Sequence, residues 1–172
     1  MSNLSVQQFS DAVTQWAGRR NGQFKYNWTV NGGWEGWIQV DLTAYILSVD
    51  SRIEILREQS IFTSSRKKVD LLLNVDLDTD YQIPVEIKAE SFFNRNRFVS
   101  GVNGDLKKLN DERNTDFSES TSIMLALPFS QGAVDRVLSI TWENHRIFRS
   151  IFTGEVACLM AVWTEPDGWL RA

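Results

Sequence analysis

KKVDLLLNVDLDTDYQIPVEIKA, residues 67 to 89, decides the fold. Two apolar runs, KKVDLLLNV (67–75) and YQIPVEIKA (81–89), flank the polar turn DLDTD, the pattern of an antiparallel strand pair. In a strand, residues i and i+2 share a face. Glu86 and Lys88 therefore point one way, and Val85, Ile87 and Ala89 point the other. Asp70 is a lone charge in an otherwise apolar strand. Pairing the two strands brings two carboxylates and one lysine onto a single face.

Working outward, SRIEILREQSIF (51–62) reads as a third strand, joined by a Ser-Ser turn into a meander. Upstream, residues 5 to 17 read as a helix with a Ser5/Gln8 capping box and Val6, Phe9, Val13 and Trp16 at helical spacing. GRRNGQFKYNWTVNGG breaks it, and Trp34 to Leu47 forms a second helix. Downstream, Gly101 and Gly104 mark a loop, after which Asn103 or Asp105 caps a helix carrying Leu106 and Leu109. TSIMLALPF (121–129) reads as a buried strand, AVDRVLSITWENHRIF (133–148) as a helix, and EVACLMAVW (155–163) as the last strand. A helix between strands implies a crossover, so the expected class is α/β: a mixed central β-sheet with helices on both faces. One domain is expected over 1–172, with an N-terminal helical extension to about residue 33.

The bulk numbers agree with a globular chain. It has 172 residues, 42% hydrophobic and 23% charged, enough for one sizeable core. The apolar runs are too short to span a bilayer, and the N-terminus lacks the basic and apolar regions of a signal peptide. A cytoplasmic protein is expected. Cys158 is the single cysteine, so no internal disulfide is possible, and it reads as a buried thiol. In such a compartment the Asn27-Trp28-Thr29 sequon has no meaning. A net charge of −4 argues against coating nucleic acid by bulk charge, but local cationic patches still matter.

Two close carboxylates repel, and a divalent cation relieves that repulsion; Mg²⁺ held by one or two carboxylates with water and a substrate phosphate is a common arrangement. Lys88 can orient or help deprotonate a water beside such a metal. Glu35, at the start of the second helix, can reach the same place, with Gln39 one turn later on the same face.

The order helix-Glu, strand, strand-Asp, strand with Glu-x-Lys, helix, strand resembles the PD-(D/E)XK nuclease superfamily. The matching residues are Glu35 in WEGWIQVDL, Asp70 in KKVDLLLN, and Glu86-Ile87-Lys88 in PVEIKAE. The resemblance covers roughly residues 34 to 127 in the αβββαβ order of the restriction-endonuclease-like fold. It implies a metal-dependent endonuclease, with Mg²⁺ held by Asp70, Glu86 and the Ile87 carbonyl, and with Mn²⁺ expected to substitute. Glu35 would support that metal or a second one, and Lys88 would position the attacking water. Val69 stands where the name-giving pattern has proline, a position that varies in the family.

Under the resemblance, the substrate is nucleic acid, DNA first, and the cationic patches gain a role. Arg66, Lys67 and Lys68 precede Asp70; Arg95 and Arg97 follow Lys88; Lys107 and Lys108 lie on the next helix. All seven are expected to touch the phosphate backbone. A homodimer or a protein partner or inhibitor is left open, as are roles as a toxin effector, a defence enzyme or a phage-encoded enzyme. The alternative is a catalytically silent copy of the fold that binds protein or nucleic acid.

Other motifs lead nowhere. Asp76, Asp78 and Asp80 imitate an EF-hand, but Tyr81 stands at its glycine and Ile87 at its final glutamate. The Gly101/Gly104 pair lacks a P-loop ending. His145 is the only histidine and has no partner at ligand spacing beyond Glu143. Trp28, Trp34 and Trp37 can stack bases, but aromatic packing is their default role.

Overall fold

The computed structural model describes residues 3–172, so positions 1 and 2 of the N-terminal extension lie outside it. The chain runs α1 (Val6–Arg20), α2 (Phe24–Asn27), α3 (Glu35–Val49), β1 (Ile55–Gln59), β2 (Val69–Leu73) and β3 (Ile83–Ala89). It continues with α4 (Phe98–Asp111), β4 (Ser122–Leu127), α5 (Gln131–Leu138), β5 (Thr141–Trp142) and β6 (His145–Arg146). β7 (Arg149–Thr153), β8 (Ala157–Thr164) and β9 (Gly168–Trp169) complete it.

Stretch 67–89 forms the antiparallel pair that its pattern implies, with Leu71 opposite Val85 and Leu73 opposite Ile83. β3 then runs parallel to β4, Val85 beside Ile123 and Ala89 beside Leu127. A parallel pair needs a long crossover, and α4 supplies it. The result is a mixed, seven-stranded sheet in the order β1-β2-β3-β4-β8-β7, with β9 also on β8.

Both faces are covered by helices, because the central strands are apolar on both sides. On one face Phe9, Val13 and Trp16 of α1 and Ile38 and Leu42 of α3 pack on Leu71, Val85, Ile87 and Leu125. On the other, Val102 and Leu106 of α4 and Val137 of α5 pack on Leu72, Met124 and Leu159. α1 is thus part of the core, held by the Ser5/Gln8 capping box and running three residues past the expected end. Cys158 is fully buried, and burial pushes its thiol up to about 12. Among the described residues, no helix is long and apolar enough to cross a membrane.

Three expectations need correction. The helix over 133–148 ends at Leu138. Glu143 and Asn144, at φ 47° and 65°, then form a two-residue turn between β5 and β6. That left-handed pair suits a hairpin whose twist matches its strands, and the apolar spacing through Trp142 only imitated a helix. The strand over 51–62 is confined to Ile55–Gln59; Ile61 and Phe62 leave it to join the α4 side of the core. Finally, α4 starts at Phe98, so Asn103 and Asp105 lie inside the helix and cap nothing.

Glu90, buried just past β3, ties the parallel strands to α5. Its carboxylate accepts from the Phe129 and Ser130 amides at 2.7 and 2.8 Å and from Ser130 Oγ at 2.8 Å. Glu90→Ala strands two buried N–H groups and is expected to cost about 2–4 kcal/mol in urea unfolding. A loss below about 1 kcal/mol would show that water replaces the carboxylate.

Candidate active site

The β2–β3 ladder ends at the Leu71–Val85 pair. One residue further the strands part, and the Asp70 carboxylate fills the gap. Its Oδ2 accepts from the Ile87 amide at 2.7 Å, an N–H that no strand partner takes. Its Oδ1 accepts from Gln39 Nε2 at 2.8 Å, and Gln39 Oε1 in turn accepts from Arg57 Nε and Nη2 at 2.9 and 2.8 Å. A chain from β1 through α3 therefore fixes the orientation of Asp70. Glu35, opening α3, accepts from the Ala89 amide at 3.1 Å. Two acids from different elements thus grip the backbone of β3 on either side of Lys88.

Glu86 and Lys88 share the face that meets α4. Glu86 is buried at 2% exposure, and Lys108 Nζ approaches its Oε1 at 2.7 Å. That contact is an ion pair only, because Oε1 receives no hydrogen bond of acceptable angle. Lys88 Nζ lies 3.2 Å from Asp105 and 3.6 Å from Glu35. Asp105 also pairs with Lys108 at 3.3 Å, so it bridges the two lysines. Four carboxylates face two ammonium groups here, an excess of two negative charges when all are ionised.

That excess shows in the protonation equilibria. Burial pushes Asp70 up to about 6, aided by the charges of Glu35 and Asp105 and opposed by the Ile87 amide. Burial also pushes Glu86 up to about 9, with Asp70 adding to it and Lys108 opposing. Glu35 is raised as well, chiefly by burial. Burial works against charge on Lys88, but Asp105 and Glu35 outweigh it and hold its pKa above that of an ordinary lysine. The lysine stays an ammonium while the acids beside it compete for protons. Such opposed shifts in one cleft are typical of functional sites.

Glu35, Gln39 and Asp70 line an open cleft of about 490 Å³, together with Phe93, Asn94 and Arg97. Four sequence-selected residues, Glu35, Asp70, Glu86 and Lys88, are therefore gathered around the end of β3, and the Ile87 amide with them. Asp105, Arg57 and the role of Gln39 as a clamp on Asp70 were missed. The signal for Asp105 was present: Gly101, Asp105 and Lys108 follow one another at intervals of four and three residues, one stripe of a helix.

The cationic patches divide. Arg66, Lys67, Lys68, Arg95, Arg97 and Lys107 are exposed. Lys67 pairs with Glu112, and Lys68 meets Ser60. Lys108 departs from expectation, because it turns inward onto Glu86 and Asp105 instead of outward. Trp28 stacks on Phe129 at 4.5 Å, and Trp34 is buried with its Nε1 on the Glu90 carbonyl, so packing accounts for both. His145 Nε2 meets the Trp169 carbonyl.

No family model, curated protein or solved structure matches this chain. The site must be judged on its own chemistry. Among the described residues, no three His, Cys, Asp or Glu side chains form a ready metal cage. What is present is a pair of hard carboxylates, Asp70 and Glu86, both raised by burial, and a buried Glu86 oxygen without a hydrogen bond. This donor set fits Mg²⁺ or Mn²⁺, which bind few protein ligands and complete their shells with water and phosphate.

Proposed function

We propose that the chain is a divalent-metal-dependent nuclease with a restriction-endonuclease-like core, hydrolysing phosphodiester bonds, DNA first. The observation that carries this reading is Asp70 seated on the Ile87 amide where β2 and β3 part, beside the buried Glu86 and the charged Lys88. Asp70, Glu86 and the Ile87 carbonyl would hold Mg²⁺ or Mn²⁺, with Glu35 in support. When bound, the ion would supply an activated water and stabilise charge on the phosphoryl oxygens.

The protein groups have separable tasks. Lys88, flanked by Asp105 and Glu35, is held as an ammonium and so is a donor, to the attacking water or to a phosphoryl oxygen. A proton leaving that water has to go to a carboxylate or to solvent, because a charged Lys88 cannot accept it. Gln39 and Arg57 keep both Asp70 oxygens aimed, since a carboxylate in a splayed strand end is otherwise free to rotate. Incubating the protein with supercoiled plasmid in Mg²⁺, Mn²⁺ or EDTA tests the proposal. Metal-dependent conversion to open-circular or linear DNA is expected; DNA left intact in both metals, together with intact RNA, would overturn it.

Gly101 of α4 explains how Lys88 fits. A Cβ at Gly101 would lie 3.3 Å from Lys88 Cδ and 3.4 Å from its Cε. The glycine costs the helix about 1 kcal/mol relative to alanine, and the lysine stem uses the space. Gly101→Ala is expected to preserve or raise the melting temperature while lowering plasmid cleavage by about tenfold, because displacing a reacting group slightly is expensive. Unchanged cleavage would mean that Lys88 tolerates the shift.

A further inference from the structure

Loop 91–97 carries two adjacent phenylalanines that no core requires. Phe92 is 49% exposed and Phe93 53%, set edge to face at 5.5 Å. The loop is not slack. Asn94 Oδ1 accepts from the Ser91 amide at 2.8 Å, Asn94 Nδ2 donates to the Ala89 carbonyl at 2.9 Å, and the Phe92 amide donates to the Trp28 carbonyl at 3.1 Å. These bonds hold both rings in water, where large apolar side chains normally mark a binding surface.

Their neighbours name the partner's chemistry. Arg95 lies over the Phe92 ring at 4.9 Å, and Arg97 lines the cleft together with Phe93, Glu35 and Asp70. Aromatic faces interleaved with guanidinium groups, continuous with a phosphodiester site, match the stacked bases and phosphates of an unpaired strand. A base inside a duplex has no free face to offer. A protein partner would also bury two phenylalanines, but it gives no reason for them to share a cleft with Asp70.

We propose that Phe93, with Phe92 and Arg97, forms a stacking platform that seats an unpaired nucleotide beside the cleft, so that the preferred ligand is single-stranded or flapped nucleic acid. The proposal rests on the nuclease reading only for what happens after binding. Binding itself is measured without turnover, by fluorescence anisotropy of labelled oligonucleotides in EDTA. The arms are a 20-nucleotide DNA strand, its RNA equivalent, the blunt duplex and a duplex with a single-stranded flap.

The wild-type protein is expected to bind strand and flap at least about fivefold more tightly than blunt duplex. Phe93→Ala is expected to lose most of that preference and Phe93→Trp to keep it, with blunt-duplex affinity steady in both. Arg97→Gln is expected to weaken all four ligands together and flatten the salt dependence. Equal affinity of Phe93→Ala and wild type for the strand would overturn the platform, leaving the rings to a protein partner. The two readings separate cleanly. A protein that binds strands through Phe93 but cuts nothing refutes the nuclease and keeps the platform; one that cuts DNA indifferently to Phe93 does the reverse.

Discussion

Lys88→Met is expected to lower plasmid cleavage by roughly 10²–10³-fold, whereas Lys108→Met keeps it within about tenfold of wild type. Both lysines touch Asp105, so charge alone does not distinguish them. Their other partners do. Lys88 reaches Glu35, which lines the open cleft. Lys108 lies on Glu86, the buried carboxylate that a metal would use. Methionine keeps the stem of Lys88 against Gly101 and removes only the ammonium, so lost activity reports the charge. Removing Lys108 frees Glu86 from a competing cation, and half-maximal cleavage is then expected at a lower Mg²⁺ concentration. Initial rates over a Mg²⁺ titration, with circular dichroism as a folding control, decide the matter. Retention of more than a third of the wild-type rate by Lys88→Met would remove it from the mechanism. An equal loss in both variants would mean that the pair acts as one unit through Asp105.

The difference between these two lysines also marks how far the sequence could be read. Asp70, Glu86 and Lys88 were legible because strand periodicity is local: a period of two assigns a face without knowing what lies opposite. Glu35 was legible because it opens a helix directly ahead of the meander. Lys108 and Asp105 were not, because their direction depends on where α4 begins. Starting the helix at Asn103 or Asp105 leaves Lys108 at the surface; starting it at Phe98 places Gly101, Asp105 and Lys108 in one stripe over β3. Gly101 and Gly104 looked like loop residues, since glycine is rarely favourable within a helix. At Gly101 the compensation is room for Lys88, a tertiary fact. The hairpin after α5 was missed for a related reason: Glu143 and Asn144 hold left-handed conformations that usually call for Asn-Gly.

In EDTA, raising the pH from 6 to 9 is expected to destabilise the protein by on the order of 2–4 kcal/mol, and Glu86→Gln is expected to remove most of that loss. The sign follows from the direction of the shift. Glu86 titrates near 9 in the folded chain, against 4.5 for an ordinary glutamate. A raised acid stabilises the fold fully below its unfolded value, and the benefit disappears as the pH climbs through the folded one. Each pH unit between the two costs about 1.4 kcal/mol. Asp70, raised to about 6, has spent most of its share by the start of this window, so the slope above pH 6 belongs mainly to Glu86. Other charges are common to both proteins and cancel in the comparison. Urea unfolding at pH 6, 7.5 and 9 measures it.

A divalent cation is expected to work in the opposite sense. It competes with protons for Glu86 and Asp70, so 10 mM Mg²⁺ adds more stability at pH 8.5 than at pH 6, following the tightening of its apparent affinity. Glu86→Gln forfeits this gain while standing more stable than wild type without metal. The carboxylate therefore costs the apo fold stability near neutral pH, and a bound cation is the evident way to recover it. A flat pH profile in the wild type, or a less stable Glu86→Gln, would show that Lys108 alone neutralises Glu86. Without a proton-linked response to Mg²⁺ or Mn²⁺, the two carboxylates would have no metal to share, and metal-dependent cleavage would lose its centre.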